Sequence, residues 1–491
     1  MASRPNIVYI LADDMGYGDV SLLNCKSKIQ TRNIDRLGKE GVFFRDAHSS
    51  SAVCTPSRYS ILTGRYNWRS SLKKGVLYGY DRPLIEAGRE TMASFLKQHG
   101  YHTACIGKWH LGWDWPLKGP APTDIDYDAP ISNGPTERGG FDYFYGINGS
   151  LDMPPYVYVE NTRVAAAPNR TTEGTGKRFW RPGPTGADFI HEDALPNFTR
   201  RACNYIARSA AEHADSPFFL YLPLPSPHTP ILPSDKFKGS SGTNEYGDYC
   251  LMTDDVVGQI MDALAKAGVE KDTILVYTSD NGCSPMADFA ELAACGHNPS
   301  HVFRGTKADI FEGGHRIPLL IRWPARIQPN SASDEIVCLS DMLATCAEIL
   351  GVKLQDQAGE DSISNLPAWL GQKLSHPLRE AIVHHSINGS FSIRQGCWKL
   401  ELCPDSGGWS HPCPGVDDSS KLPPIQLYNL EADISECANV QDQHPEIVKQ
   451  LTALMAKYVR DGRSTPGQPQ ENSGPRHWPQ LNWMMPDATK T

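Results

Sequence analysis

Asn6-Ile7-Val8-Tyr9-Ile10-Leu11-Ala12 is a nearly continuous apolar run that breaks at Asp13-Asp14 and a glycine-containing turn. So short a run without alternation reads as a strand buried on both faces, the kind found in a parallel sheet covered by helices. Three other segments share its character. Thr273-Ile274-Leu275-Val276-Tyr277-Thr278 ends at Ser279-Asp280-Asn281-Gly282. Pro217-Phe218-Phe219-Leu220-Tyr221-Leu222 runs into a proline-rich loop carrying His228, and Thr103-Ala104-Cys105-Ile106-Gly107 runs into Lys108-Trp109-His110. Between the strands, residues 34–40, 90–98, 198–212 and 249–267 space apolar side chains at three and four with charges opposite, which predicts helices. Strand and helix alternate over more than 300 residues. That predicts an α/β sandwich with a large, mostly parallel central sheet flanked by helices. Ligands of such sheets bind beyond the carboxyl ends of the strands, where every polar cluster just quoted falls.

Near residue 375 the pattern changes. Residues 379–386, 391–394, 398–401 and 425–430 read as short consecutive strands and 445–459 as a closing helix, which predicts a smaller α+β subdomain with an antiparallel sheet. The expected organisation is a catalytic unit over 1–375, the subdomain over 376–460, and an extended tail over 461–491, either disordered or draped over the body.

A chain of 491 residues exceeds the size at which one core stops growing, in keeping with more than one unit. The net charge of −9 gives no field to attract nucleic acid or an anionic membrane, so any anion must be met by a few placed cations. No run of about 18 apolar residues exists, which argues against a membrane span. Met1-Ala2-Ser3-Arg4-Pro5 leads directly into the first strand without the features of a signal peptide. The expected compartment is therefore the cytoplasm, or the periplasm or exterior if an export signal has been removed. Thirteen cysteines without any Cys-x-x-Cys pair argue against a zinc site and against a complete disulfide framework.

Asp13, Asp14, Asp280 and Asn281 form an oxygen-only set delivered by two strand ends. Such donors suit a hard divalent cation, calcium first and magnesium second, and three carboxylates crowded together need a cation to remain ionised. A further stretch, Cys54-Thr55-Pro56-Ser57-Arg58 followed by Leu62-Thr63-Gly64-Arg65, carries the most specific signal. It resembles the signature of type I sulfatases, in which a maturation enzyme oxidises the cysteine to formylglycine. The resemblance extends along the chain through Leu11-Ala12-Asp13-Asp14-Met15-Gly16, Gly107-Lys108-Trp109-His110-Leu111-Gly112, Pro227-His228-Thr229-Pro230, Ser279-Asp280-Asn281-Gly282 and Arg304-Gly305-Thr306-Lys307. It is to the formylglycine-dependent sulfatases of the alkaline-phosphatase-like superfamily.

That resemblance implies a role for each matching residue. Cys54, matured to an aldehyde that hydrates to a geminal diol, supplies the nucleophile, and Thr55 and Pro56 are expected to cap and open a helix behind it. Asp280 resembles the family carboxylate that assists deprotonation, and Arg58 orients the diol. Lys108 and Lys307 hold the sulfate oxygens, and His228 protonates the departing oxygen. His110 takes the proton that lets the aldehyde reform and expel sulfate from the covalent sulfo-enzyme. Asp13, Asp14, Asp280 and Asn281 hold the metal. His315 and Arg316, in Glu312-Gly313-Gly314-His315-Arg316, read instead as a turn held by an internal ion pair.

Phosphatases and phosphodiesterases of the same superfamily carry a second zinc site, with a histidine directly after the late aspartate. Here Asn281 follows Asp280, so that site is not expected. The alternatives are a formylglycine-dependent phosphonate or phosphate ester hydrolase, a non-catalytic sulfated-glycan-binding protein, and a cysteine hydrolase using Cys54 as thiolate. The expected partners are a sulfated carbohydrate or aryl sulfate and a sulfatase-maturation enzyme. Trp113, Asp152, His297, His301 and Arg304, with Lys108, His228 and Lys307, are the expected substrate-binding residues, since aromatic groups mixed with acids and histidines suit a sugar. Which sugar and which hydroxyl carries the sulfate stay open at this level.

Overall fold

The computed structural model describes residues 4–484; residues 1–3, on which the reading of the N-terminus partly rests, and 485–491 of the expected tail lie outside the described residues. The main sheet is built from β1 (Asn6–Asp13), β2 (Val42–Phe44), β3 (His102–Lys108), β4 (Tyr143–Ile147), β5 (Val159–Glu160) and β6 (Arg163–Val164). A separate hairpin, β7 (Pro168–Gly174) with β8 (Trp180–Gly186), follows, and the sheet then resumes with β9 (Phe218–Pro227), β10 (Thr273–Ser279), β11 (Leu319–Arg322) and β12 (Ser331–Ser333). The strand order is β12-β2-β11-β10-β1-β9-β3-β4-β5-β6, ten strands in all. From β10 through β1, β9 and β3 to β4 the pairing is parallel, while β11, β5 and β6 run antiparallel to their neighbours.

The central strand β1 shows why the sequence takes this form. Ile7, Tyr9 and Leu11 point into one apolar core, and Val8, Ile10 and Ala12 into the other. On the first face lie α2 (Cys54–Thr63), α3 (Met92–Gln98) and α6 (Met342–Leu350); on the second lie α1 (Arg32–Lys39), α4 (Ala194–Glu212) and α5 (Glu245–Lys266). An alternating strand could not fill both layers, so the continuous apolar run is the signature of this position. One glycine is imposed by the approach of neighbours. Gly107 has φ +134°, and a Cβ there would stand 2.0 Å from the Pro223 carbonyl oxygen, so β3 can lie beside β9 and deliver Lys108 only with glycine before it.

A second sheet, β13 (Ile382–His385), β14 (Phe391–Gln395), β15 (Trp398–Glu401) and β16 (Gln426–Asn429), is antiparallel throughout and is covered by α7 (Pro445–Asp461). The sequence places all four strands and the helix within a few residues of these bounds. In the tail, Trp478 and Leu481 are buried in the core between this sheet and α7. The two sheets meet across ion pairs, Lys399 Nζ to Glu312 Oε1 at 3.2 Å and Arg394 Nη2 to Asp46 Oδ2 at 2.7 Å, while within one turn Arg316 Nη2 lies 2.6 Å from Glu312 Oε2. The Arg316–Glu312 contact is the internal pair anticipated for that turn. No helix among the described residues is long and apolar enough to cross a membrane.

Candidate active site

β1 ends at Asp13, β3 at Lys108 and β10 one residue before Asp280, so three strands of the central parallel set deliver their polar ends to the carboxyl end of the sheet. Asp14 and His110 continue from two of these ends with φ of 66° and 58°. Left-handed backbone at a non-glycine residue costs on the order of 1–2 kcal/mol, and such strain concentrates at functional sites.

Cys54 is the first residue of α2, and Val53 is its N-cap. The expected cap at Thr55 is thus shifted: Thr55 and Pro56 fall inside the first turn, where a proline loses no hydrogen bond because those N–H groups have no intrahelical acceptor. The Thr55 hydroxyl accepts from Leu77 N at 3.1 Å instead. Cys54 is 2% exposed, and burial, with Asp13 and Asp280 nearby, raises its thiol pKa against the pull of Lys108 and Lys307. A buried, protonated thiol is a poor nucleophile. Arg58, one helical turn on, shares its face.

The charged groups interlock. Arg58 Nε and Nη2 donate to Asp280 Oδ2 at 2.9 and 2.8 Å, and Nη1 donates to the Lys108 carbonyl at 2.9 Å. Lys108 Nζ lies 2.5 Å from Asp13 Oδ2 and Lys307 Nζ lies 2.7 Å from Asp14 Oδ1. Asn281 Nδ2 donates to Asp14 Oδ1 at 2.7 Å, and the Asp14 backbone N–H to Asp280 Oδ1 at 3.3 Å. All of these side chains are buried. Burial and the repulsion of Asp13 push Asp280 up to about 7, although Arg58 opposes them. Burial also works to raise Asp13, but Lys108, His228, Arg58 and Lys307 hold it well below the usual carboxylate range.

Two histidines are arranged differently. His110 Nε2 lies 2.7 Å from the Leu77 carbonyl and must donate to it, which leaves Nδ1 as a lone pair, buried and without a hydrogen-bond partner. Burial, then Lys108 and Arg58, hold its pKa well below normal, so the ring is neutral. His228 Nδ1 donates to the Thr229 carbonyl, and Nε2 stands 3.6 Å from Asp14 Oδ2. At 8% exposure His228 is the most open member of the set.

The donor chemistry fits a hard cation. Asp13 Oδ1 and Asn281 Oδ1 are buried acceptors without a donor, beside carboxylates whose mutual repulsion a cation would relieve. Donor atoms of Asp13, Asp14 and His228, and of Asp13, Cys54 and Asp280, lie within 4.8 Å of one another. His48, His315 and His384 also converge, but Arg316, Arg394 and Lys399 already neutralise the acids around them, and they belong to the seam between the sheets.

The expected pocket residues separate into two groups. Asp152 and His301 keep some freedom: Asp152 Oδ1 is buried and unpartnered, and His301 is half-buried with its ring 6.1 Å from Tyr17. Trp113, His297 and Arg304 are committed elsewhere. Trp113 is 1% exposed and packs edge-on to Trp115 and Phe144. His297 Nε2 bonds Asp19 Oδ1 at 2.8 Å, and the Arg304 guanidinium lies 3.8 Å over Phe311 and bonds the Glu436 carbonyl at 2.8 Å. Proximity to the motifs suggested these residues; packing has consumed their open faces. Sequence reasoning passed over Asp309, which holds the loop of the second sheet against the segment bearing Lys307 by accepting from Trp409 N at 2.7 Å and Ser410 N at 3.0 Å. Its signal, an acid two residues after Lys307, is too common to single out.

The Sulfatase family model matches residues 5–352. An N-acetylgalactosamine-6-O-sulfatase of Bacteroides thetaiotaomicron is 34% identical, over 92% of this chain and 93% of its own. Arylsulfatase A of Bos taurus is 31% identical over 93% and 89%. A solved structure described under the metabolism of multiple glycosaminoglycans by Bacteroides thetaiotaomicron superposes with a TM-score of 0.80 at 33% identity, over 93% of this chain and 99% of that one. Formylglycine and a divalent metal are general requirements of this family. The chain belongs to the sulfatase family and is a sulfuric ester hydrolase.

Proposed function

We propose that this sulfatase removes the 6-O-sulfate of an N-acetylgalactosamine-type sugar of a sulfated glycan. The observation that carries the chemistry is the placement of Cys54 in the first turn of α2 among Lys108, Lys307, Arg58 and the carboxylates. The sugar is proposed from the relative 34% identical over nearly the whole of both chains.

Oxidation of Cys54 by a maturation enzyme supplies an aldehyde whose hydrate is the nucleophile toward sulfur. Asp13, Asp14, Asp280 and Asn281 would hold a divalent cation, calcium in our reading, that offers positive charge to the sulfate and acidifies the attacking hydroxyl. Lys108 and Lys307 bind the sulfate oxygens. Burial works to discharge Lys307, but Asp14 and Asp13 keep it protonated, so its charge is already in place when the anion arrives. His228 sits on the open side with Nε2 free of the Thr229 bond, where it can protonate the leaving sugar oxygen. His110, neutral with a bare Nδ1, can accept a proton without first losing one. Arg58 fixes Asp280 at the nucleophile's side.

The test is a panel of defined saccharides with matured enzyme: 6-O-sulfated and 4-O-sulfated N-acetylgalactosamine and 6-O-sulfated N-acetylglucosamine. The first should be hydrolysed with the highest kcat/KM; preference for either of the others overturns the sugar assignment. Elemental analysis should give one calcium per chain, and stoichiometric zinc would rule that ion choice out.

A further inference from the structure

Two walls flank the histidines of the site. On one, Leu77 is bound through its N–H to Thr55 and through its carbonyl to His110, at 3.1 and 2.7 Å, and Tyr78 follows it. On the other, the turn of the β7–β8 hairpin is fixed beside His228, for Ile231 N donates to the Lys177 carbonyl at 2.9 Å. Arg181 of β8 bridges the walls, its guanidinium 5.7 Å from the Tyr78 ring and 5.6 Å from the Phe179 ring.

The arginine is held as a binding group would be. Nη1 donates to Asp152 Oδ2 at 2.5 Å and to the Asp152 carbonyl at 3.1 Å, its backbone N–H donates to the same carbonyl at 3.2 Å, and its own carbonyl accepts from Tyr156 Oη at 2.6 Å. Asp152 is 7% exposed, whereas the Arg181 side chain is 41% exposed, and Nε and Nη2 bond no protein group among the described residues. One edge of the guanidinium is therefore spent on orientation and the other faces outward. Tyr78 and Phe179 are 50% and 37% exposed, more than two rings in a structural contact need be. A fixed guanidinium fork suits a planar carboxylate or a sulfate, and flanking rings suit the C–H face of a sugar. An ordinary surface ion pair would need neither the buried clamp nor the paired rings.

We propose that Arg181, with Tyr78 and Phe179, forms a second anion subsite that binds a carboxylate or sulfate on the sugar next to the one losing its sulfate. The preferred substrate is then a charged oligosaccharide rather than a monosaccharide. This deepens the preceding reading and rests on it.

The experiment compares kcat/KM of matured wild type, Arg181→Ala and Arg181→Lys on four substrates. These are 6-O-sulfated N-acetylgalactosamine; its disaccharide with an adjoining uronate; that disaccharide with the carboxylate reduced to the alcohol; and the reduced disaccharide carrying a second sulfate. Wild type should favour an anionic disaccharide over the reduced one by about tenfold or more, the typical strength of a charge-assisted contact. Arg181→Ala should abolish that ratio, mainly through KM, and Arg181→Lys should keep part of it. Whether the uronate or the second sulfate restores the ratio identifies the anion. An unchanged ratio in Arg181→Ala, an equal loss on all four substrates, or no preference in wild type overturns the subsite while leaving the sulfatase reading intact. Absence of turnover on every substrate by fully matured wild type overturns both.

Discussion

Arg58 Nε and Nη2 both reach Asp280 Oδ2, at 2.9 and 2.8 Å, and neither side chain has any contact with solvent. Two charges removed from water are stable here only because each satisfies the other, and because the Lys108 carbonyl takes a third N–H of the guanidinium. Arg58→Ala should therefore lower stability by about 3–5 kcal/mol, the cost of leaving a buried charge unpaired. Arg58→Lys keeps the charge but loses the fork, and should fall between. Denaturant unfolding of the metal-free proteins checks the order; an alanine variant as stable as wild type would falsify the view that this pair holds α2 to β10.

His228 acts on the leaving group alone in the proposed reaction, which permits a graded test. His228→Ala should lower kcat/KM on a sugar sulfate by roughly 100-fold or more, since an alkoxide needs a proton as it departs. On nitrophenyl sulfate, whose leaving group is stable as an anion, the loss should be under about tenfold. Equal losses on both substrates would remove His228 from the role of general acid.

His191 provides a pH-dependent stability test remote from the chemistry. It is 5% exposed and stacked 4.1 Å from Trp180, and burial lowers its pKa to about 4, against about 6.5 in an unfolded chain. The folded state keeps it neutral while the unfolded state takes up a proton, so its contribution is full above pH 6.5 and is lost as pH falls toward 4. The stability difference between wild type and His191→Phe should be constant above about pH 7 and fall by up to about 1.4 kcal/mol per pH unit below 6.5. A difference that does not change between pH 7 and pH 5 would show that His191 titrates normally.

The parallel core was legible because a strand with helices on both faces must be apolar at every position, and few other environments ask for that. Asp13, Lys108 and Asp280 were legible for a related reason: a polar residue that ends such a run can only emerge at the sheet's edge. The boundary at Cys54 was less so, since Thr55-Pro56 satisfies the local preferences of a cap and first turn, and only the contact of Thr55 with Leu77 shows the hydroxyl spent elsewhere. Trp113, His297 and Arg304 show what side-chain type leaves unsaid, which way a loop residue faces and what it packs against. Each found a partner distant in sequence, Phe144, Asp19 and Glu436. Arg181 escaped notice for the same cause in reverse: its importance comes from Tyr78, more than 100 residues away.

Cys54 decides whether the proposed chemistry operates. As a thiol it is buried, protonated and placed between cations and carboxylates, with no histidine bonded to it to act as a base. Oxidised to the aldehyde, the same position becomes an electrophile whose hydrate can attack sulfur and later release it, which neither serine nor cysteine can do. Peptide mass spectrometry of protein produced with a maturation enzyme should find residue 54 as the aldehyde, with sulfur replaced by oxygen and two hydrogens lost, and turnover should rise in proportion to that fraction. Cys54→Ala and Cys54→Ser should fold, since either side chain fits the space of the thiol, and should bind a sulfated sugar without hydrolysing it. Alkylating reagents should leave the matured enzyme active, whereas a carbonyl-directed hydrazide should inhibit it. Full activity in protein shown to carry unmodified Cys54 would exclude the aldehyde and return the reaction to a thiolate that this buried environment disfavours.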